Sequence, residues 1–176
     1  CASVFKISER TPMSSMRVAE LIDEVGFPDG TVHFVCGSGR VVIPAMAQSR
    51  IPRLLTMIGS TLAGKKLIEH SPSSVKRFSL ELGGDAPVLV FPDADLDAAV
   101  ADIVGLKLAH AGQICVAPNR VFVHQSIYDV FIEKATSLME SYRYLGDPGD
   151  GPELSPLCTE ASLEQMVAFC RPEMHG

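Results

Sequence analysis

"LELGGDAPVLVFPDADLDAAV", residues 80–100, carries the end of one strand, a break, a second strand and the start of a helix. Leu80, Glu81 and Leu82 alternate apolar and charged, the two-residue period of a half-buried strand. Gly83 and Gly84 interrupt that pattern, and Pro87 follows soon after. The run "VLVF" that comes next is apolar without alternation, as in a strand covered on both faces. Asp93, Asp95 and Asp97 then crowd the start of an apolar helix over 96–111, where carboxylates meet unpaired N–H groups and the positive end of the helix dipole. A strand leading straight into a helix is the beginning of a βαβ unit. The glycine pair is read as a domain junction, with residues 1–82 on one side and 83–176 on the other.

The same alternation extends outward in both directions. "ASVFKI" reads as a strand, and "TPMSSMRVAELIDEVGF" as a helix with Thr11 as its cap, Pro12 in the first turn and Gly26 as its stop. "PDG" turns into the strand "TVHFVC", a short helix follows "GSG", and the strand "RLLTMI" leads to the helix "TLAGKKLIEH". "VKRFSLEL" closes this half. Beyond the quoted stretch lie the strand "RVFVH" and the helix "SIYDVFIEKATSLMESY". Strands alternating with helices in this way predict an α/β fold of βαβ units with parallel pairing. Residues 146–156, "GDPGDGPELSP", are expected to form a surface loop, and "RPEMHG" at 171–176 has no periodicity. Both ends of the chain look cut.

Composition excludes several classes of function. The net charge of −6, with no basic run in the sequence, argues against nucleic acid or an anionic membrane as partner. No apolar run approaches the ~20 residues needed to span a bilayer, and "CASVFKISER" lacks the build of a secretory leader. The 5 cysteines, at 1, 36, 115, 158 and 170, do not form a paired framework. They are expected to be free thiols in a reducing, cytoplasmic setting.

Several motifs admit a bland and a chemical reading. "CGSGR" at 36–40 follows a strand, but Val42 stands where the third glycine of a dinucleotide fingerprint would fall, so a turn is the better reading. "DADLD" lacks the later glycine and glutamate of a calcium loop, and Cys158, Cys170 and His175 lack zinc-ligand spacing; no metal is expected. Gly59 and Ser60 open a helix after a strand; on this motif alone an ordinary N-cap is the better reading, and a phosphate held by free N–H groups is the other. Lys6 and Glu9 follow the first strand, where they are either a solvated pair or residues at the ligand-gathering carboxyl edge of a parallel sheet. Glu81 is either a surface glutamate or a general base on water. Cys115, in "LAHAGQICVAPNR" at 108–120, is either a small buried filler or a nucleophile. Its neighbours Gly112, Gln113, Ala117 and Pro118 suggest a loop and not a periodic core face.

Taken in order, "FKISERTP", "IGSTLAGKKLI", "LELGGDAPVLVFPDADLDAAV" and "GQICVAPNRVFVH" resemble successive segments of the aldehyde dehydrogenase family, over about Ala2 to Phe169. "GGDAPVLVF" and "CVAPNR" lean toward the semialdehyde-type members. The resemblance implies the second half of a Rossmann-like NAD-binding domain joined to the start of an α/β catalytic domain. It implies Cys115 as nucleophile and Glu81 as general base. Gly59 and Ser60 would hold the cofactor pyrophosphate, Lys6 and Glu9 its adenosine ribose, and Leu82 and Gly83 would line the cofactor site. NAD is expected over NADP, an aldehyde is the small-molecule substrate, and the parent enzyme is expected to be a homo-oligomer. Ile43, Met57 and Ile58 depart from the family's usual Gly, Phe and Thr. The family's oxyanion asparagine would lie upstream of Cys1, and the glutamate for the nicotinamide ribose downstream of Gly176. An inactive remnant of the fold, acting as a binding module, is the alternative expectation.

Overall fold

The structure is a computed structural model, and it describes residues 1–144 and 153–170. The chain divides into two compact units, Cys1–Leu82 and Gly83–Gly176.

In the first unit β1 (Ser3–Lys6) pairs in parallel with β2 (Val32–Val35), joined through α1 (Pro12–Val25). Pro12 sits in the first turn of α1, where its missing N–H costs nothing. Gly26 ends the helix at φ 77°, a left-handed position that glycine adopts without strain. Thr11 makes no side-chain cap to α1, in contrast to its expected role. After α2 (Gly39–Gln48), β3 (Leu54–Ile58) pairs in parallel with β4 (Arg77–Glu81) across α3 (Thr61–Glu69). Ala47, Leu55 and Leu67 form the buried centre of this unit, with Ile43, Met57 and Leu80 packed against it.

In the second unit β5 (Pro87–Val90) pairs in parallel with β6 (Arg120–Val123) across α4 (Leu96–Leu108). Asp95 accepts a hydrogen bond from the Ala98 N–H at 3.1 Å, so it caps α4. This unit's core is Val90, Val100 and Val104 with Phe131 and Ala135 of α5 (Tyr128–Glu140). Leu89 and Phe122, paired in register, turn an apolar face to solvent. Three later elements were not expected from the sequence: β7 (Arg143–Tyr144), its parallel partner β8 (Glu153–Leu154), and α6 (Glu160–Phe169). Thr159 caps α6 by accepting from the Ser162 N–H at 3.0 Å. The predicted loop over 146–156 falls mostly outside the described residues, and the tail at 171–176 falls wholly outside them. Among the described residues no helix is long and apolar enough to cross a membrane. Nor does any group of three or more His, Cys, Asp or Glu side chains there gather as metal ligands would.

Candidate active site

The cysteine of interest sits on a turn built with backbone strain. Between α4 and β6 the chain makes a short 3-10 segment, Ala109–Gly112, in which His110, Ala111 and Gly112 have φ of 49°, 55° and 74°. Consecutive left-handed residues are costly unless their surroundings hold them. A hydrogen bond of 3.0 Å from the Ala117 N–H to the Ile114 carbonyl then closes a turn around Cys115. Ala117 and Pro118 are buried and anchor the turn, while Cys115 is exposed.

Two side chains hold this turn from either flank. Gln113 donates through Nε2 to the His110 carbonyl at 2.8 Å and to the Pro156 carbonyl at 3.4 Å, and its Oε1 accepts from the Cys158 N–H at 2.9 Å. Asn119 accepts from Lys107 Nζ at 2.7 Å and donates to the Gly84 carbonyl at 3.5 Å. A Cβ added at Gly84 would lie 3.7 Å from the Cys115 carbonyl oxygen, so the glycine pair runs close beside the turn. Sequence reasoning missed both clamps. Their only signal was an amide side chain two residues before the cysteine and another four residues after it.

In the first unit the candidates gather at the carboxyl ends of the parallel strands. Glu81 ends β4 in register with Ile58 of β3, and its carbonyl accepts from the Gly59 N–H at 3.0 Å. Glu81 is exposed, and Leu80 and Leu82 on either side are half-buried. Leu82 lies over α3: a Cβ added at Gly64 would stand 3.0 Å from both its terminal carbons. Around Gly83, by contrast, a Cβ would find open space. Ser60 caps α3 by accepting from the Ala63 N–H at 3.2 Å. The Thr61 and Leu62 N–H groups of that first turn have no partner within the helix, because it lacks a preceding turn.

Lys6 and Glu9 converge on another helix start, that of α2. Glu9 Oε2 accepts from the Gly39 N–H at 3.3 Å, and Lys6 Nζ lies 3.8 Å from where a Gly39 Cβ would be. Ser38 caps the same helix by accepting from the Arg40 N–H at 3.3 Å. "CGSGR" is thus a strand-to-helix turn whose first helical N–H is taken by a carboxylate from β1's own loop. Lys6 and Glu9 act on one spot. The other oxygen of Glu9 has no hydrogen-bond partner among the described residues.

Comparison with known proteins places these features among relatives. The profile described as "Aldehyde dehydrogenase family" matches residues 1–173. The chain is 38% identical over 169 residues to a mitochondrial succinate-semialdehyde dehydrogenase of Arabidopsis thaliana, covering 96% of this chain and 32% of that protein. It is 39% identical over 172 residues to the NADP(+) succinate-semialdehyde dehydrogenase GabD of Escherichia coli (strain K12), covering 96% and 36% respectively. Among solved structures, an NAD-dependent aldehyde dehydrogenase from Sinorhizobium meliloti superposes with a TM-score of 0.89 at 35% identity, over 96% of this chain and 34% of that one. PnpE from Pseudomonas sp. WBC-3, solved in complex with nicotinamide adenine dinucleotide, superposes with a TM-score of 0.86 at 38% identity, over 96% and 34%. The chain therefore spans about a third of the length of the relatives it matches.

Proposed function

The chain belongs to the aldehyde dehydrogenase family, and from that premise we propose that it supplies the nucleophile, the general base and part of the NAD site of an enzyme that oxidises an aldehyde to a carboxylic acid. The observation that carries the proposal is the exposed Cys115 thiol on a turn clamped by Gln113 and Asn119.

Cys115 thiolate adds to the aldehyde carbonyl carbon and forms a thiohemiacetal, while its backbone N–H offers one donor to the new oxyanion. Bound NAD supplies the acceptor for the hydride that leaves that carbon. A thioester on Cys115 remains. Glu81 takes a proton from water, which attacks the thioester and releases the acid with the thiolate restored. Leu82 and Gly83, directly after the base, line the cofactor side of the site. The α3 N-terminus at Gly59–Ser60 takes the pyrophosphate, because its remaining N–H groups and dipole favour an anion. Lys6 and Glu9 face the adenosine ribose, which favours NAD over NADP. The similarity to succinate-semialdehyde dehydrogenases supports a semialdehyde as substrate. The division at Leu82–Gly83 is the junction between cofactor-binding and catalytic parts, and the whole enzyme is a homo-oligomer.

The test uses an enzyme of the relatives' full length that contains this chain. Cys115→Ala should remove aldehyde oxidation and any ester hydrolysis together. Glu81→Gln should slow deacylation by roughly a hundredfold or more. Mass spectrometry after mixing with aldehyde and NAD should then find an acyl adduct on Cys115. Equal loss at every step without an adduct would leave Glu81 a structural residue.

A further inference from the structure

Two pairs of basic residues that lie far apart in the sequence meet at the ends of β3 and β4 opposite Ile58 and Glu81. Arg50 and Arg53 precede β3, and Lys76 and Arg77 open β4; with Ser74 and Val75 they line one groove. The sequence shows no basic run, because Arg50 and Lys76 are separated by a whole strand–helix passage. Parallel pairing brings them together: Leu54 is in register with Arg77, and the Arg77 N–H donates to the Arg53 carbonyl at 2.9 Å.

The groove walls are stitched by side chains. Lys76 Nζ donates to the Ser49 carbonyl, to the Pro52 carbonyl at 3.0 Å and to Ser74 Oγ at 2.9 Å. Ser73 Oγ donates to the Gln48 carbonyl, and Arg50 Nε donates to the Ser73 carbonyl at 3.2 Å. Lys76 thus uses its ammonium to join the two connecting segments. The guanidinium groups are left differently. Among the described residues no carboxylate pairs with Arg50, Arg53 or Arg77, although the chain as a whole is acidic. Arg53 and Arg77 keep their full donor forks, Arg50 keeps its terminal nitrogens, and the Ser74 hydroxyl, an acceptor from Lys76, still has its own O–H to donate.

We propose that this groove is an anion site, separate from the cofactor site, that takes a multiply charged oxyanion of the phosphate class. Planar guanidinium forks match the oxygen edges of phosphate, and several forks around one groove suit a dianion better than a single carboxylate. Apart from Val75, which is 99% exposed at the rim, the side chains lining the groove are basic or hydroxylic. The groove reads the charged group itself. On the proposed function the cofactor phosphates would lie at the other end of the strands, about 15 Å away at the rise of a five-residue strand.

Titration of the 176-residue chain with inorganic phosphate and with pyrophosphate at low ionic strength tests this, against sodium chloride matched in ionic strength. Amide and Arg Nε resonances of Arg50, Arg53 and Ser74–Arg77 should shift saturably, with pyrophosphate the tighter probe. The double variant Arg53→Gln, Arg77→Gln should weaken pyrophosphate at least about tenfold. Arg17→Gln, on a helix surface already paired with Glu20 and Glu24, should leave it unchanged. Should the double variant fail to fold, the map of wild-type shifts decides alone. Shifts reproduced by chloride, or confined to Gly59–Leu62, would overturn the proposal; the second outcome would leave the cofactor reading standing.

Discussion

Replacing Gln113 by Ala removes the side chain that ties the Cys115 turn to the segment at 156–158. Two of its bonds, at 2.8 Å to the His110 carbonyl and 2.9 Å from the Cys158 N–H, are short; the third, at 3.4 Å, is weak. Each good bond is worth about 1 kcal/mol net, and this exposed site lets water replace part of it. The sum is about 1–2 kcal/mol of local stability, set against left-handed backbone at His110 and Ala111 that relaxes once released. Local opening should therefore become about tenfold more frequent, since ~1.4 kcal/mol is a factor of ten. Hydrogen exchange at the Cys158 amide in the 176-residue chain reads this directly. Site-resolved alkylation of Cys115 reads the turn itself.

The conservative variant separates the two halves of the clamp. Gln113→Glu keeps an acceptor for the Cys158 N–H but turns a second carboxylate oxygen toward the His110 and Pro156 carbonyls. Protection at Cys158 should survive better than in Gln113→Ala, while the His110 side loosens. A change of less than twofold in Cys158 exchange for Gln113→Ala would refute the reasoning, because the bond that defines the clamp would then carry no load.

Gly64→Val should lower Tm more than Gly64→Ala: alanine gains about 1 kcal/mol of helix propensity against crowding by Leu82, whereas valine adds branches where a Cβ already stands 3.0 Å from two carbons. Adding Leu82→Ala should relieve both, as thermal unfolding of the double variants would show. The Asp97 carboxylate, hydrogen-bonded to Lys134 and attracting its charge, holds the Lys134 pKa above its ordinary 10.5. A raised folded value means that the pair's contribution is present below about pH 10.5 and is lost as pH rises through the folded pKa; NMR titration of Lys134 in Asp97→Asn should show the pKa fall. In an enzyme of full length, Glu9→Ser should narrow the preference for NAD over NADP, measured as the ratio of kcat/KM. A wild type that prefers NADP would remove Glu9 from the ribose.

The order of strands and helices was legible because the signals are local. Pro12 and Gly26 bracket α1, Asp95 caps α4, and apolar runs mark β3 and β5. The clamps on Cys115 were not legible, since Gln113 finds Cys158 across 45 positions and Asn119 finds Gly84 across 35. No periodicity carries such a pairing. The arginine groove was hidden for the same reason, as two parallel strands bring together what the sequence separates. The helix α6 went unread because Glu160–Phe169 has little amphipathic contrast and only Thr159 to announce it. Thr11 marked the start of α1 by position yet makes no cap, so the proline beside it was the better signal.

Two helix starts in the first unit face the same general requirement and meet it differently, and the difference bears on where a dinucleotide would lie. At α2 the first N–H is taken by Glu9, a full negative charge drawn from the loop after β1. That carboxylate offsets the positive end of the α2 dipole and repels a second anion. At α3 the cap is the neutral Ser60 hydroxyl, and no acidic residue stands in the first turn. The dipole there remains uncompensated, with the Thr61 and Leu62 N–H groups outside the helix's own bonding. Under the proposed function the phosphate would lie at α3, and the α2 side, with an acceptor oxygen on Glu9 and a donor on Lys6, would meet hydroxyl groups. One ligand that ends in a sugar and continues into a pyrophosphate meets both conditions. Under the proposed function the electrostatics of the two caps would set its direction across the strand ends: ribose toward α2, phosphates toward α3.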